Sequence, residues 1–415
     1  MKKFLANIMM KQGAALVSLG LLLLQSCSGN GAVTDEPEAV VTPDSPVVEW
    51  DRPVPVTFGI GTAAGTRAGG MESGVQPWLR ADGSSKNADT RSDVTWAITH
   101  VDELTVIPKD KQVGVFGYYQ GIDKWDNIYM RPEFFFNEPM TSQGRREDPV
   151  GSGNYSRTAY LDYSPLRYWP NGAGEMLAFY AYYPYSDFTF DAQGHGTPSA
   201  ATDYGFTYYQ SNQTLAQGEF TFTVKDNASQ QIDFMCSELE YDQLRTDYLT
   251  GDHRVPLTFY HKLARILINI TIDANSHFDK ITELYIEGVH KTAVFKPDHM
   301  HHFSAWERPL IGSTLRNIGN VTVDELPANG SLTASERTAL LLIPQRCEQE
   351  SYFIKFKLHN TTTDNNDQFS FPLRDVWWAG REYEYNFTVD DRNDVTNTTI
   401  FRGNAGTPVN GGTIE

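Results

Sequence analysis

His299, His301 and His302 are the one tight group among the ten histidines of this 415-residue chain. On a strand, His299 and His301 share a face and offer two ring nitrogens to a metal ion. A site needs a third ligand, and Asp298 is the only carboxylate nearby. An exposed polar loop is the reading we favour, so the expectation is no metal and no cofactor. Gly151-Ser152-Gly153 has the outline of a nucleophile turn. It lies among glycine, serine and charge, where a solvated loop is the simpler account. There is no His-Glu-x-x-His, no Gly-x-Ser-x-Gly and no glycine-rich loop opening a helix. Among 52 acidic residues, carboxylate pairs are too numerous for one to stand out. His261, within Phe259-Tyr260-His261-Lys262-Leu263-Ala264-Arg265, reads as a packed structural histidine rather than a base. Trp377 and Trp378 could stack on a sugar, but packing at a strand edge is the commoner use of such a pair. None of these groups makes a case for an enzyme.

Cys27 has a different context. Lys2, Lys3 and Lys11 precede an apolar run over 13–24 that ends in four leucines, and Leu24-Gln25-Ser26-Cys27 follows. A basic start, a short apolar core and a small residue before the cut describe a secretory leader. The run is shorter than the ~20 apolar residues that cross a bilayer. Leu-x-Ser-Cys resembles the lipobox of bacterial lipoproteins. The resemblance implies that residues 1–26 are removed and that Cys27 becomes the lipidated N-terminus, carrying an acyl group such as palmitate. An ordinary signal cut nearby, or an uncut anchor, is the alternative.

The rest of the composition agrees with an extracytoplasmic body. The formal charge is −18, from 34 Lys+Arg against 52 Asp+Glu, and loss of the leader removes three lysines and no acid. A nucleic-acid partner would need a basic footprint, which is absent. With only 3 Cys, a disulfide-dense scaffold is excluded. Cys236 and Cys347 are free either to pair or to be separate buried thiols. The 23 Phe, 21 Tyr and 8 Trp, with 33 Gly and 21 Pro, favour strands and turns.

Residues 27–52 are rich in Gly, Pro and acids and read as a flexible tether. Val54, Val56, Phe58 and Ile60 then alternate, predicting a first strand. Pro53 and Pro55 lack backbone donors, which suits an edge or first strand. A long polar segment follows to Asp93, with Arg67 its first basic residue. Further strands are expected at 113–119, 163–169, 176–183, 220–224, 232–235 and 266–272. A second series is expected at 284–289, 339–343, 352–358 and 383–389. The regular spacing predicts an all-β sandwich or barrel. A boundary near Asn275 divides it into an N-terminal domain, 53–274, and a C-terminal domain, 275–390, with a polar, glycine-rich tail at 391–415.

Several segments together resemble the fimbrillin family of Bacteroidota, the precursors of type V pili. They are Gly65-Thr66-Arg67-Ala68, Val113-Gly114-Val115-Phe116-Gly117-Tyr118-Tyr119 and Tyr163-Ser164-Pro165-Leu166-Arg167-Tyr168-Trp169-Pro170. Leu177-Ala178-Phe179-Tyr180-Ala181-Tyr182-Tyr183-Pro184, Gln231-Ile232-Asp233-Phe234-Met235, Leu342-Ile343-Pro344-Gln345 and Trp378-Ala379-Gly380-Arg381-Glu382-Tyr383-Glu384-Tyr385 continue the series in order. The resemblance implies two tandem transthyretin-like β-sandwich domains. It further implies an outer-membrane lipoprotein, anchored through Cys27, serving in a surface fimbrium and in cell adhesion. Processing would fall between Arg67 and Ala68. The first strand, with Val54, Val56, Phe58 and Ile60, would then be displaced, and a strand from another pilus subunit would fill its groove. Thr399-Ile400-Phe401 and Val409 are the apolar points of the tail that could donate a strand. A host or bacterial surface ligand is a further partner. A surface glycan-binding lipoprotein that never polymerises is the alternative.

Overall fold

A computed structural model describes residues 53–61, 79–80, 107–125, 132–147, 155–210, 218–249, 254–297, 306, 318–335, 338–347 and 352–398. Among these the regular structure is almost wholly strand, with only short 3-10 turns besides. No helix among them is long and apolar enough to cross a membrane.

The strands form four sheets. The largest has nine strands and carries the first strand, Phe58–Gly61, near one end. Its order runs Val255–Pro256, Phe58–Gly61, Tyr155–Asp162, Phe135–Glu147, Gln112–Gly121, Met176–Tyr183, Met235–Ser237, Phe259–His261, and the ninth strand, Glu240–Leu244, also pairs with Met176–Tyr183. The two end strands are one run of chain, separated only by Leu257 and Thr258. That run bonds the first strand through Val255 N–H to Thr57 O (2.8 Å) and Leu257 N–H to Gly59 O (2.9 Å). Farther on, Tyr260 pairs with Cys236 and His261 with Met235. The sheet therefore closes on itself as a barrel, which leaves few free edges. The Phe58 ring lies 5.0 Å from Phe179, four strands away in the sheet order, a contact across the interior of the curved sheet.

At Met176–Tyr183 both surfaces of the barrel wall are covered, so every residue of that strand is buried. Leu177, Phe179, Ala181 and Tyr183 line the interior with Val56, Phe58 and Ile60. Ala178, Tyr180 and Tyr182 face outward onto the second sheet, made of Phe188–Phe190, His195–Pro198, Phe206–Tyr209, Glu219–Thr223 and Thr292–Phe295. Phe116 stacks on Tyr208 (5.1 Å) and Tyr182 meets Phe220 (4.9 Å) across this interface. Gly114, paired with Tyr182 on the neighbouring strand of the same sheet, leaves room for that ring, since a Cβ there would lie 2.2 Å from Cε1 of Tyr182. The tyrosine then reaches Asn137 Oδ1 with its hydroxyl (2.6 Å).

A second sandwich packs the sheet of Ala264–Ile272, Arg381–Val389, Leu340–Leu342, Leu79–Arg80 and Val395–Asn397 on that of Phe278–His290, Ile318–Thr322, Phe353–Asn360 and Asn365–Pro372. Ile266, Ile268 and Ile270 face Leu284, Ile286, Ile354 and Phe356 in its core. Arg265 and Glu382, paired in register on adjacent parallel strands, form a buried ion pair at 3.3 Å.

Several expectations change. The first strand is not an edge strand: it pairs with Tyr155–Asp162 on one side and with the 255–257 run on the other. Pro53 and Pro55 precede the paired residues and remove no donor from that ladder. Residues 163–169 are a loop rather than a strand, because Pro165 and Pro170 interrupt it; only Tyr168 makes a bridge, to Pro55. The tail is ordered at its start, where Val395–Asn397 folds back on Phe387–Val389. Cys236 and Cys347 are buried and not disulfide-bonded, and burial pushes the Cys236 thiol up to about 12. Sheet membership does not change at Asn275. Ala264–Ile272 already belongs to the second sandwich, and Thr292–Phe295 returns to the first.

Candidate functional site: the first strand and its groove

Of the predicted first-strand residues, Val56, Phe58 and Ile60 are fully buried, and Val54 is half-buried outside the ladder. Each fully buried side chain of this kind is worth ~1.5–3 kcal/mol. Phe58 is the centre of the contact set, edge-on to Phe135 (6.0 Å) and Phe179 (5.0 Å). The ladder to Tyr155–Asp162 is antiparallel, pairing Phe58 with Leu161 and Ile60 with Ala159. The strand thus supplies a part of the core and one stave of the barrel wall.

A second set of contacts grips the chain just before the ladder. Val56 N–H donates to Arg167 O, and Trp169 N–H donates to Val54 O, both at 2.9 Å. The Tyr163 hydroxyl donates to Val56 O (2.8 Å) and accepts from Arg167 N–H (3.2 Å). Burial raises the Tyr163 phenol above its ordinary pKa, so it keeps that proton. The Arg167 guanidinium sits 4.9 Å from the Phe135 ring and 3.6 Å from Glu138. Trp169 is buried, stacked on Tyr248 at 4.8 Å. These roles could not be read from spacing alone, although the aromatic segment that supplies them is conspicuous in the sequence.

On the other side, the chain re-enters at Leu79–Arg80, which pairs with Arg381 and Glu382 in the second sandwich. Cys27, Arg67, Ala68, Gly151-Ser152-Gly153, His299, His301, His302, Thr399-Ile400-Phe401 and Val409 lie outside the described residues. Among the described residues no group of three or more His, Cys, Asp or Glu is placed to hold a metal. His261 is buried with Nδ1 2.6 Å from Asp233 Oδ2. Trp377 is a core residue whose indole donates to the Tyr385 hydroxyl (3.0 Å), while Trp378 is exposed.

The sequence model of the fimbrillin-like family matches residues 99–402, most of the chain. This protein belongs to that family. Solved structures similar to it include a candidate cell adhesion protein from Bacteroides ovatus, 14% identical, covering 86% of this chain and 99% of that one at a TM-score of 0.43. Another, from Bacteroides fragilis, is 13% identical over 86% and 100% of the two chains, with a TM-score of 0.42. The tip fimbrial protein Mfa3 from Porphyromonas gingivalis, with a C-terminal truncation, is 10% identical over 83% and 98%, with a TM-score of 0.29. No curated protein matches the chain.

Proposed function

We propose that this fimbrillin-like protein is a lipid-anchored surface subunit of a pilus, serving adhesion as a structural rather than a catalytic part. In this reading Cys27 carries the lipid in the outer membrane, and residues 27–52 hold the folded body away from it. Cleavage between Arg67 and Ala68 severs the first strand from Leu79–Arg80. The strand leaves, and one from another subunit takes its place.

One observation carries the reading: residues 54–61 complete the barrel between two of its other staves, through buried side chains and backbone bonds on both sides. Its departure would expose apolar interior and unpaired backbone, an open template for strand addition. A replacement strand recovers both contributions. The same reading divides the body at Lys262–Leu263. Lys262 N–H still bonds the barrel at Phe234 O (2.9 Å), whereas Leu263 O accepts from Gly380 of the second sandwich (2.8 Å).

The test is the state of the protein sheared from cells. A mature N-terminus at Ala68 together with SDS-resistant ladders is expected. A lipidated N-terminus at Cys27 as the sole product, on a monomer, would overturn strand exchange while leaving the anchor intact.

A further inference from the structure

We propose that the loop 163–169 is a latch that retains the first strand after the chain is cut, so that the strand leaves in two stages. The inference rests on the strand-exchange reading above and adds a control to it.

The strand is held in two separate places. Residues 58–61 are held by the ladder, and residues 54–56 by the loop. The two grips sit at opposite ends relative to the proposed cut. Severing the chain after Gly61 frees the ladder end, which can fray backwards one residue at a time. The 54–56 end stays clasped by Arg167 O, Trp169 N–H and the Tyr163 hydroxyl. An incoming strand can therefore pair from the freed end before the old strand has gone.

The latch is itself anchored to the barrel wall as well as to the strand. Arg167 lies over Phe135, bonds Phe134 O and faces Glu138 on the strand Phe135–Glu147. Trp169 is wedged between Tyr248 (4.8 Å) and Phe179 (6.0 Å). Tyr163 joins the two parts, with its ring 5.3 Å from Phe135 and its hydroxyl on Val56 O. Tyr163 and Arg167 are accordingly positioning residues for release.

The second sandwich supplies a matched control. The Tyr383 hydroxyl donates to Val376 O and accepts from Trp378 N–H, both at 2.8 Å, so it ties a loop in the same chemical way but in a different sheet from the first strand.

The experiment uses the full mature chain with a site for a specific protease inserted next to Arg67. After cutting, the urea concentration at which the N-terminal fragment separates is read by gel filtration, and global unfolding of the uncut chain is read by tryptophan fluorescence. Tyr163→Phe and Arg167→Ala are expected to speed fragment loss in water, by about fivefold for the lost phenol bond. Both should lower the release midpoint more than they lower global unfolding. Tyr383→Phe should lower only global unfolding. Release midpoints unchanged in Tyr163→Phe and Arg167→Ala, or lowered equally in Tyr383→Phe, would overturn the latch. Strand exchange is judged separately, by whether cut protein forms SDS-resistant multimers: its failure with shifted release midpoints leaves the latch standing and removes its purpose.

Discussion

The two sandwiches are closed by different means and filled with different side chains. Between the barrel and the second sheet the core is aromatic, with Phe116, Tyr180, Tyr182, Tyr208 and Phe220 in mutual ring contact. The second sandwich mixes aliphatic side chains, Ile266, Ile268, Ile270, Leu284 and Ile354, with rings that include Phe356, Phe371, Phe387, Trp377 and Tyr385. Rings with hydroxyls fix orientation as well as fill space, because each polar tip needs a partner when buried. The closing elements differ more. The barrel depends on a strand joined to the next described segment only through residues 62–78. The second sandwich is covered by Val395–Asn397, the return arm of a hairpin that stays covalently attached. The closing segment of the barrel carries three fully buried side chains, Val56, Phe58 and Ile60, whereas no residue of Val395–Asn397 is fully buried.

That contrast can be broken at several strengths. Deleting residues 53–61 should be the most severe change, removing three fully buried side chains and on the order of 5 kcal/mol or more. The check is whether the barrel becomes protease-sensitive while the second sandwich resists, and whether a peptide of the 53–61 sequence added in trans restores protection. Phe58→Ala should cost about 3–5 kcal/mol in a urea titration, since it leaves a cavity between Phe135 and Phe179. Glu382→Gln should cost about 3 kcal/mol by leaving the Arg265 charge buried without its carboxylate, and this loss should fall on the second sandwich. Hydrogen exchange in each half would show where it falls. Val395→Ala, half-buried on the hairpin arm, should cost about 1 kcal/mol and leave release of the first strand unchanged. Lys357→Ala removes an exposed cross-strand partner of Glu283, and a thermal melt should not register it.

Much of the fold was legible because its strands obey a period of two. Ile266, Ile268 and Ile270, and Tyr383, Tyr385 and Phe387, alternate cleanly and form strands facing a core. Phe135–Glu147 carries no such mark. Pro139 lies in its interior, and Asn137 adopts a φ of 50° beside a register shift, so the alternation is broken where the strand bulges. Residues 163–169 failed in the opposite sense. Their aromatics look like a strand, but the prolines turn them into a loop whose rings anchor it. The burial of Val56, Phe58 and Ile60 was visible in the pattern. The barrel that surrounds them was not, because closure depends on pairing residues 58 and 255, far apart in sequence. The clasp on residues 54–56 was invisible for the same reason, since two of its three bonds use loop backbone groups that any residues could offer, and only the third uses a side chain, the Tyr163 hydroxyl.

One further feature bears on how such a molecule responds to tension. The strand Phe278–His290 belongs to the second sandwich, and after the single residue Lys291 the same extended run continues as Thr292–Phe295 in the sheet that covers the barrel. Lys291 O also accepts from Val224 N–H (2.7 Å) at the crossing. A continuous stave of this kind acts as a splint. Bending the body at that point would require breaking hydrogen bonds in one sheet or the other, so this crossing ties the two sandwiches together through a single run of backbone.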